Sequence, residues 1–314
     1  MSHNLEFRDG KYQMAYVGEA PWHKLGTKVE SNLSAAEMAA VAGINWSTYE
    51  IPTFFEVDEK RVETNQKAII RSDDHSFLSV VGKDWKDVQN TEAIEFFHEF
   101  VSKGDMEMHT AGSIDNGKLV WMLAKIKEEF KVTNKDVVEP YLLFTIPHKY
   151  GISTSVSLNA IRVVCENTLN FSLSSTGKDK IVRVNHSTKF DVEVVKETLK
   201  LATGKFSEFA ESAKFLISRK ITPEKVDEYL NTLYPNSSGE IGLSVTAKKV
   251  RDLMDQQLGA SEGEGTWWQP LNAVTFYTDH FAGRNENNRL RSAWYGNGRV
   301  KKLQALNLAL DMAT

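Results

Sequence analysis

The hydrophobic positions of the chain change period near residue 190. Before that point apolar and β-branched residues fall into short runs separated by turn residues, the pattern of strands. Such runs cover residues 48–57, 68–71, 77–81, 119–126, 141–146, most of 154–164, and 181–184. Pro52 directs the first of them to a sheet edge or a bulge, because it cannot donate to a ladder. Ser72 to Ser76 reads as a hairpin loop, and Asp115-Asn116-Gly117 as a tight hairpin turn, since Asn-Gly tolerates positive φ. The first thirty residues lack a period, and Pro21-Trp22-His23-Lys24-Leu25-Gly26 reads as an ordered loop.

Helical signals are fewer in the first part and dominate the second. Ser34-Ala35-Ala36-Glu37 is a capping box that opens a short helix ending near Gly43. Asn90 or Thr91 caps a helix to about Val101, with Ile94, Phe97 and Val101 on one apolar face. Residues 165–173 are predicted helical. From Asp191, Val192, Val195 and Leu199 start an amphipathic helix reaching about Ser218, and Thr222-Pro223 starts another through Leu233. Helices follow at 246–258, 268–281 and 299–312, with a Ser/Gly break at 235–242 and a flexible acidic loop at 259–265. These elements predict an α+β fold: a mainly antiparallel sheet with helices on one face over residues 1–190, then a helical C-terminal part over 191–314.

Composition narrows the class. With 41% hydrophobic and 25% charged residues in 314, the chain buries a real core and is not a disordered protein. No apolar run approaches 18 residues, and the first residues carry no secretory pattern, so a cytoplasmic protein of a bacterial host without membrane attachment is expected. Cys165 is the single cysteine, which excludes internal disulfides and multi-cysteine metal sites. Neither a cofactor nor a metal is expected. Net charge is −4, yet residues 1–150 carry 17 Lys and Arg against 24 Asp and Glu, whereas 151–314 carry 21 against 18. Positive charge concentrates in residues 149–190 (Lys149, Arg162, Lys178, Lys180, Arg183, Lys189) and 281–302 (Arg284, Arg289, Arg291, Arg299, Lys301, Lys302). Screening over about 8 Å makes such local fields decisive for a polyanion.

Familiar catalytic motifs fail on context. Gly112 to Lys118 has phosphate-loop spacing, but Leu119 stands where Ser or Thr must ligate magnesium and a strand follows where a helix is needed. Gly296-Asn297-Gly298 is a turn before the last helix. Glu95 and His98 are three apart on a helix without the second pair a di-metal bundle requires, so they read as surface residues. Cys165 could act as a nucleophile with His186 or His23, although Val163-Val164-Cys165 reads more simply as an interior segment. The pattern with most residues behind it is single-strand nucleic-acid binding, in which cations track phosphates and aromatic faces stack bases. Its candidates are Arg162, Lys178, Lys180, Arg183, Lys189, Arg284, Arg289 and Arg291, with Trp22 and Tyr150 for stacking.

Pro21 to Gly26, Arg162-Val163-Val164-Cys165-Glu166-Asn167-Thr168-Leu169, His186-Ser187 and Asn272-Ala273-Val274-Thr275 resemble the phage/plasmid-like protein family, a domain-of-unknown-function family of phages, prophages and plasmids. The resemblance implies a mobile-element context and supplies no catalytic residues. The order of elements is also similar to phage single-strand annealing proteins of the Rad52-like type. Together these give the expectation of a non-catalytic, homo-oligomeric protein that binds or anneals single-stranded DNA in recombination or replication. The alternatives are a phage protein that binds a host protein, with Trp22 as anchor, and a Cys/His-dependent enzyme.

Overall fold

A computed structural model describes residues 4–18, 25–127, 130–162, 167–170, 182–184, 206–236, 242–257, 259–283 and 289–314; for 162, 167–170, 182–184, 290 and 291 it describes the backbone alone. Cys165, His23, His186, Trp22, Lys178, Lys180, Lys189 and Arg284 lie outside the described residues. The fold is α+β, with antiparallel sheets and helices concentrated toward the C-terminus. The chain divides into two compact units, residues 1–127, 141–157 and 180–198 in the first and 128–140, 158–179 and 199–314 in the second.

The first unit is built on the strands β3 (Met14–Val17), β4 (Thr27–Val29), β8 (Met106–Ile114), β9 (Leu119–Ile126) and the latter part of β11 (Val137–Pro147). They are ordered β4-β3-β8-β9-β11, antiparallel except for β3 with β4. Two-residue strands β1 (Phe7–Arg8) and β2 (Lys11–Tyr12) precede them as a small hairpin. The start of the chain is thus strand-bearing where no period was legible. Helices α1 (Ala35–Val41) and α2 (Asn90–Lys103) pack on this sheet. The expected Ser34–Glu37 capping box opens α1, with Ser34 Oγ accepting from the Glu37 amide and Glu37 accepting from the Ser34 amide at 2.8 Å. In α2 the capping residue is Gln89, and the buried face is Ala93, Phe96 and Phe97 instead of the expected Ile94, Phe97 and Val101. The shift lets Phe96 and Phe97 meet Phe144 of β11 edge-on. Glu95 and His98 are exposed, as surface residues should be.

A separate three-stranded sheet, β5 (Thr48–Val57), β6 (Lys60–Arg71) and β7 (Phe77–Gly82), belongs to the same unit. β6 starts eight residues earlier than the expected run, and β5 and β6 form a long ribbon closed by Asp58 and Glu59 at φ 47° and 62°. The turn after β8 has Asp115, Asn116 and Gly117 all at positive φ, as its sequence predicts. β12 (Thr154–Arg162) begins in the first unit, where residues 154–156 pair with β14 (Val182–Val184).

The second unit contains β10 (Phe130–Lys131) paired with the start of β11, and the end of β12 paired with β13 (Asn167–Asn170). β13 corrects the expectation of a helix over 165–173: Asn167 to Asn170 extend opposite Arg162 to Asn159, and the pairing overrides a locally helical pattern. Around them lie α3 (206–218), α4 (Pro223–Leu233), α5 (Val245–Gln256), α6 (Trp268–His280), α7 (Arg289–Tyr295) and α8 (Asn297–Ala313). Thr222 caps α4 with Pro223 in its first turn, as the sequence signals. The acidic loop at 259–265 is not a loose loop: Ala260–Gly263 form a 3-10 turn, and Gly263 is buried so close to Trp268 that a Cβ would sit 2.9 Å from its ring.

Candidate functional site

The site starts at the exit from β11. Pro147 ends the strand; His148, Lys149, Tyr150 and Gly151 turn the chain, with Gly151 at φ 90°; and β12 begins at Thr154. Two contacts and one buried ring fix the base of this turn. The His148 amide donates to the Lys118 carbonyl at 3.0 Å, the Lys149 ammonium meets the Asp115 carboxylate at 2.5 Å, and the His148 imidazole is fully buried. With its neighbours held, Tyr150 projects outward and is 79% exposed. Residues 154–156 of β12 pair with β14, which sets Arg183 in register with Ser155. An exposed aromatic and an arginine-bearing strand are therefore brought to the same part of one unit.

The anchor beneath Tyr150 is a polar network that sequence reading did not find. His148 Nδ1 lies 3.0 Å from both carboxylate oxygens of Asp87, and Nε2 lies 2.9 Å from Oδ1 of Asn90. Asp87 also accepts from the Thr48 hydroxyl, and Gln89 brackets Thr48 by accepting from its amide at 2.8 Å and donating to its hydroxyl at 2.7 Å. The Trp46 ring lies 5.1 Å from the imidazole and, on its other contact, 4.2 Å from the Arg71 guanidinium. Arg71, only 2% exposed, donates from Nε and Nη2 to Asp73 at 2.9 Å each and from Nη1 to Glu6. Glu6 in turn accepts from Ser113. Burial would weaken the charged forms, but the carboxylates outweigh it and raise Arg71 above its ordinary value. Burial likewise raises Asp73, and the hydrogen bonds and charge of Arg71, with those of Arg8, more than reverse this and hold it below the usual carboxylate range.

These groups are engaged with one another, and all but Asp73 at the rim are shielded from water, so they position backbone and leave no free nucleophile or base. Their members stand at residues 6, 46, 48, 71, 73, 87, 89, 90, 113 and 148 and share no spacing, which hid them in the sequence. The one legible hint was a histidine directly after an apolar strand ending in proline.

Other expected residues separate by role. Arg162 ends β12 and Arg291 lies within α7. Arg289, the first residue of α7, is half-buried and donates from Nε to the Ala282 carbonyl at 3.2 Å. The C-terminal basic stretch is less of a surface than its charge suggests. Arg299 is 7% exposed, and Lys302 is fully buried with its ammonium 2.6 Å from Asp279 of α6. Lys301 donates to the Leu233 carbonyl at 2.8 Å and lies over the Tyr234 ring. Burial lowers Lys302, and the Asp279 charge offsets part of that. A signal for this did exist: Arg299, Lys302, Ala305, Leu306 and Ala309 share the buried stripe of α8.

The Asn167-Thr168-Leu169-Asn170 stretch is strand β13, packed against α6 and α8. α6 presents Gln269, Asn272, Thr275, Thr278 and Asp279 as buried polar residues, and Trp268 at its start donates to Asp136 at 2.8 Å. Of the residues that gave the chain its family resemblance, Asn272, Ala273, Val274 and Thr275 are buried and serve internal packing.

Among the described residues no group of three or more His, Cys, Asp or Glu side chains is arranged to hold a metal ion, and no helix is long and apolar enough to cross a membrane. Neither a curated protein nor a solved structure matches the chain. Residues 77–294 do match a protein family, a span running from β7 through α7 and covering more than half of the chain. The chain belongs to the family described as a domain of unknown function, DUF932.

Proposed function

We propose that this is a mobile-element protein of DNA metabolism that binds single-stranded DNA, without bond chemistry, in recombination or replication. The observation that carries the reading is the exposed Tyr150, held out by a buried anchor in the turn that enters β12, with Arg183 on the strand paired to β12. An aromatic face stacks any base, and cations beside it follow the phosphates. Lys180 and Lys189 flank β14 in sequence and add to its positive charge. The reading does not use the C-terminal basic stretch as one face, since Lys302 and Arg299 are spent inside the helices.

The test is fluorescence anisotropy with a labelled oligonucleotide over a salt series. Affinity should fall steeply with salt, each phosphate contact adding about 0.7 to the logarithmic slope for a single strand. Replacing Lys180 and Arg183 together with Glu should weaken binding at every salt concentration. Binding that is absent at low ionic strength, or insensitive to salt, would end the reading. Acceleration of pairing between complementary strands would then assign annealing.

A further inference from the structure

The β5–β6 ribbon outruns its sheet. β7 pairs with β6 only from Gln66 to Ile70, so among the described residues the edge of β6 over residues 60–65 has no strand beside it. Residues 60–63 are all exposed. Phe54, Phe55, Val57 and Val62 are 39–52% exposed, an unusual load of apolar surface for a hairpin tip. Two strands alone are marginal in water and gain from a third. β5 is poorly suited to receive it, since Pro52 interrupts its row of donors. β6 has no proline.

The register defines what fits the open edge. Phe55 is opposite Val62, Phe54 opposite Glu63, and Glu56 opposite Arg61. Val62 and Phe55 thus share one face, and Arg61, Glu63 and Phe54 the other, where the Arg61 guanidinium stacks 3.9 Å above the Phe54 ring.

We propose that two copies of the chain pair antiparallel along residues 60–64 of β6, about a two-fold axis at Val62, to form a four-stranded sheet in the order β5-β6-β6-β5. In this register Val62 meets Val62 of the second copy, and Arg61 meets Glu63 of the second copy twice over. One face then carries the row Phe55-Val62-Val62-Phe55. The other carries Phe54, Glu63, Arg61 of the second copy and Glu56 of the second copy, each cation set between carboxylates. The alternatives that keep residues on the same faces are shifted by two. They put Arg61 on Arg61 or Glu63 on Glu63 at the axis, and like charges directly opposite destabilise a pair. A shift of one brings the apolar face of one ribbon into line with the charged face of the other. The sequence Arg-Val-Glu is complementary to its own antiparallel copy, which fits a second molecule of this chain better than an unrelated edge. The pairing uses no nucleic acid and stands apart from the DNA-binding reading.

The test is sedimentation equilibrium of the full chain without nucleic acid. The natural chain should dimerise. Arg61→Glu, an exposed change, should raise the dissociation constant by about tenfold or more, since each substitution acts at two symmetric places. The triple exchange Glu56→Arg, Arg61→Glu and Glu63→Arg reverses every charge of that row, keeps the complementarity within and between copies, and should restore dimers. In a Cys165→Ser background, Val62→Cys should form an intermolecular disulfide under mild oxidation, because residues facing across antiparallel strands lie within about 4.5–5.5 Å between Cα atoms. A natural chain that stays monomeric overturns the proposal. So does a dimer indifferent to Arg61→Glu, or one that the triple exchange fails to restore.

Discussion

Asn90 fixes how His148 is used. Its amide nitrogen is committed to the carbonyls of Ile44 and Trp46 at 3.1 Å each, so the oxygen 2.9 Å from His148 Nε2 can only accept. The other ring nitrogen faces the Asp87 carboxylate. Both ring nitrogens therefore face oxygen partners, which locks the ring and the chain that follows it.

Removing the ring leaves the buried Asp87 carboxylate, among the described residues, with Thr48 as its hydrogen-bond partner. His148→Ala should cost about 3–5 kcal/mol of unfolding free energy, the usual penalty for stranding one member of a buried pair. Adding Asp87→Asn should cost much less than the sum of the single changes. Urea unfolding of the four chains of this cycle measures the coupling; additive effects would show that the two side chains do not act together.

Arg71 predicts acid sensitivity. Because Asp73 is held below the ordinary carboxylate range, its contribution is complete above the unfolded value near 3.9 and is lost as pH falls through the lower folded value. Arg71→Lys gives up the two-pronged contact to Asp73 and the flat stack on Trp46, for a loss of roughly 2–4 kcal/mol near neutral pH. Stability measured from pH 6 to pH 2 should then fall less steeply in the variant. Parallel curves would show that Arg71 does not govern the titration of Asp73.

Much of the framework was legible where local chemistry and burial agree. The Ser34 box, Thr222-Pro223 and Asp115-Asn116-Gly117 each name a backbone state through side-chain oxygens, fixed φ or tolerance of positive φ, and each stands where expected. The apolar and β-branched runs at 48–57 and 119–126 became β5 and β9 at those bounds. The tip of β6 was hidden because Lys60 to Gln66 are half-exposed or exposed on both faces, leaving no apolar period to detect. The charged interior was hidden for another reason. Glu6, Arg71 and Asp87 are brought together by pairing of distant segments, and nothing local marks a charge as buried. Counting Lys302 toward a basic surface was the same error seen from the opposite side.

Lys302 and Asp279 allow that point to be measured. Lys302→Met removes the ammonium 2.6 Å from the buried Asp279 carboxylate and should destabilise by about 3–5 kcal/mol. Lys302→Met with Asp279→Leu exchanges the whole pair for apolar packing and should recover most of that loss, since desolvation of the pair offsets much of its attraction. Thermal and urea unfolding distinguish the cases. A double variant as unstable as the single one would show that the pair does more than neutralise itself.

Gly117 tests the junction between the hairpin and the charged core. It sits at φ 81°, and a Cβ there would lie 2.9 Å from Arg71 Nη1 and 3.3 Å from the Trp46 ring. Gly117→Ala combines backbone strain with displacement of a guanidinium held by two carboxylates, and should cost on the order of 1–3 kcal/mol. A stability change below a few tenths would mean that the guanidinium yields freely.

Tyr150 separates function from folding most cleanly. At 79% exposure its ring contributes little to the core, so Tyr150→Ala should leave the urea midpoint nearly unchanged. If the ring stacks a base, its loss removes about 1–3 kcal/mol of binding, roughly a five- to 150-fold weaker affinity for a labelled single strand. The salt slope should stay the same, because the phenol carries no charge to displace counterions. Tyr150→Trp should keep or improve affinity, since the larger face stacks as well. An affinity untouched by Tyr150→Ala would detach this turn from nucleic-acid binding and leave its rigid anchor as a device of folding alone.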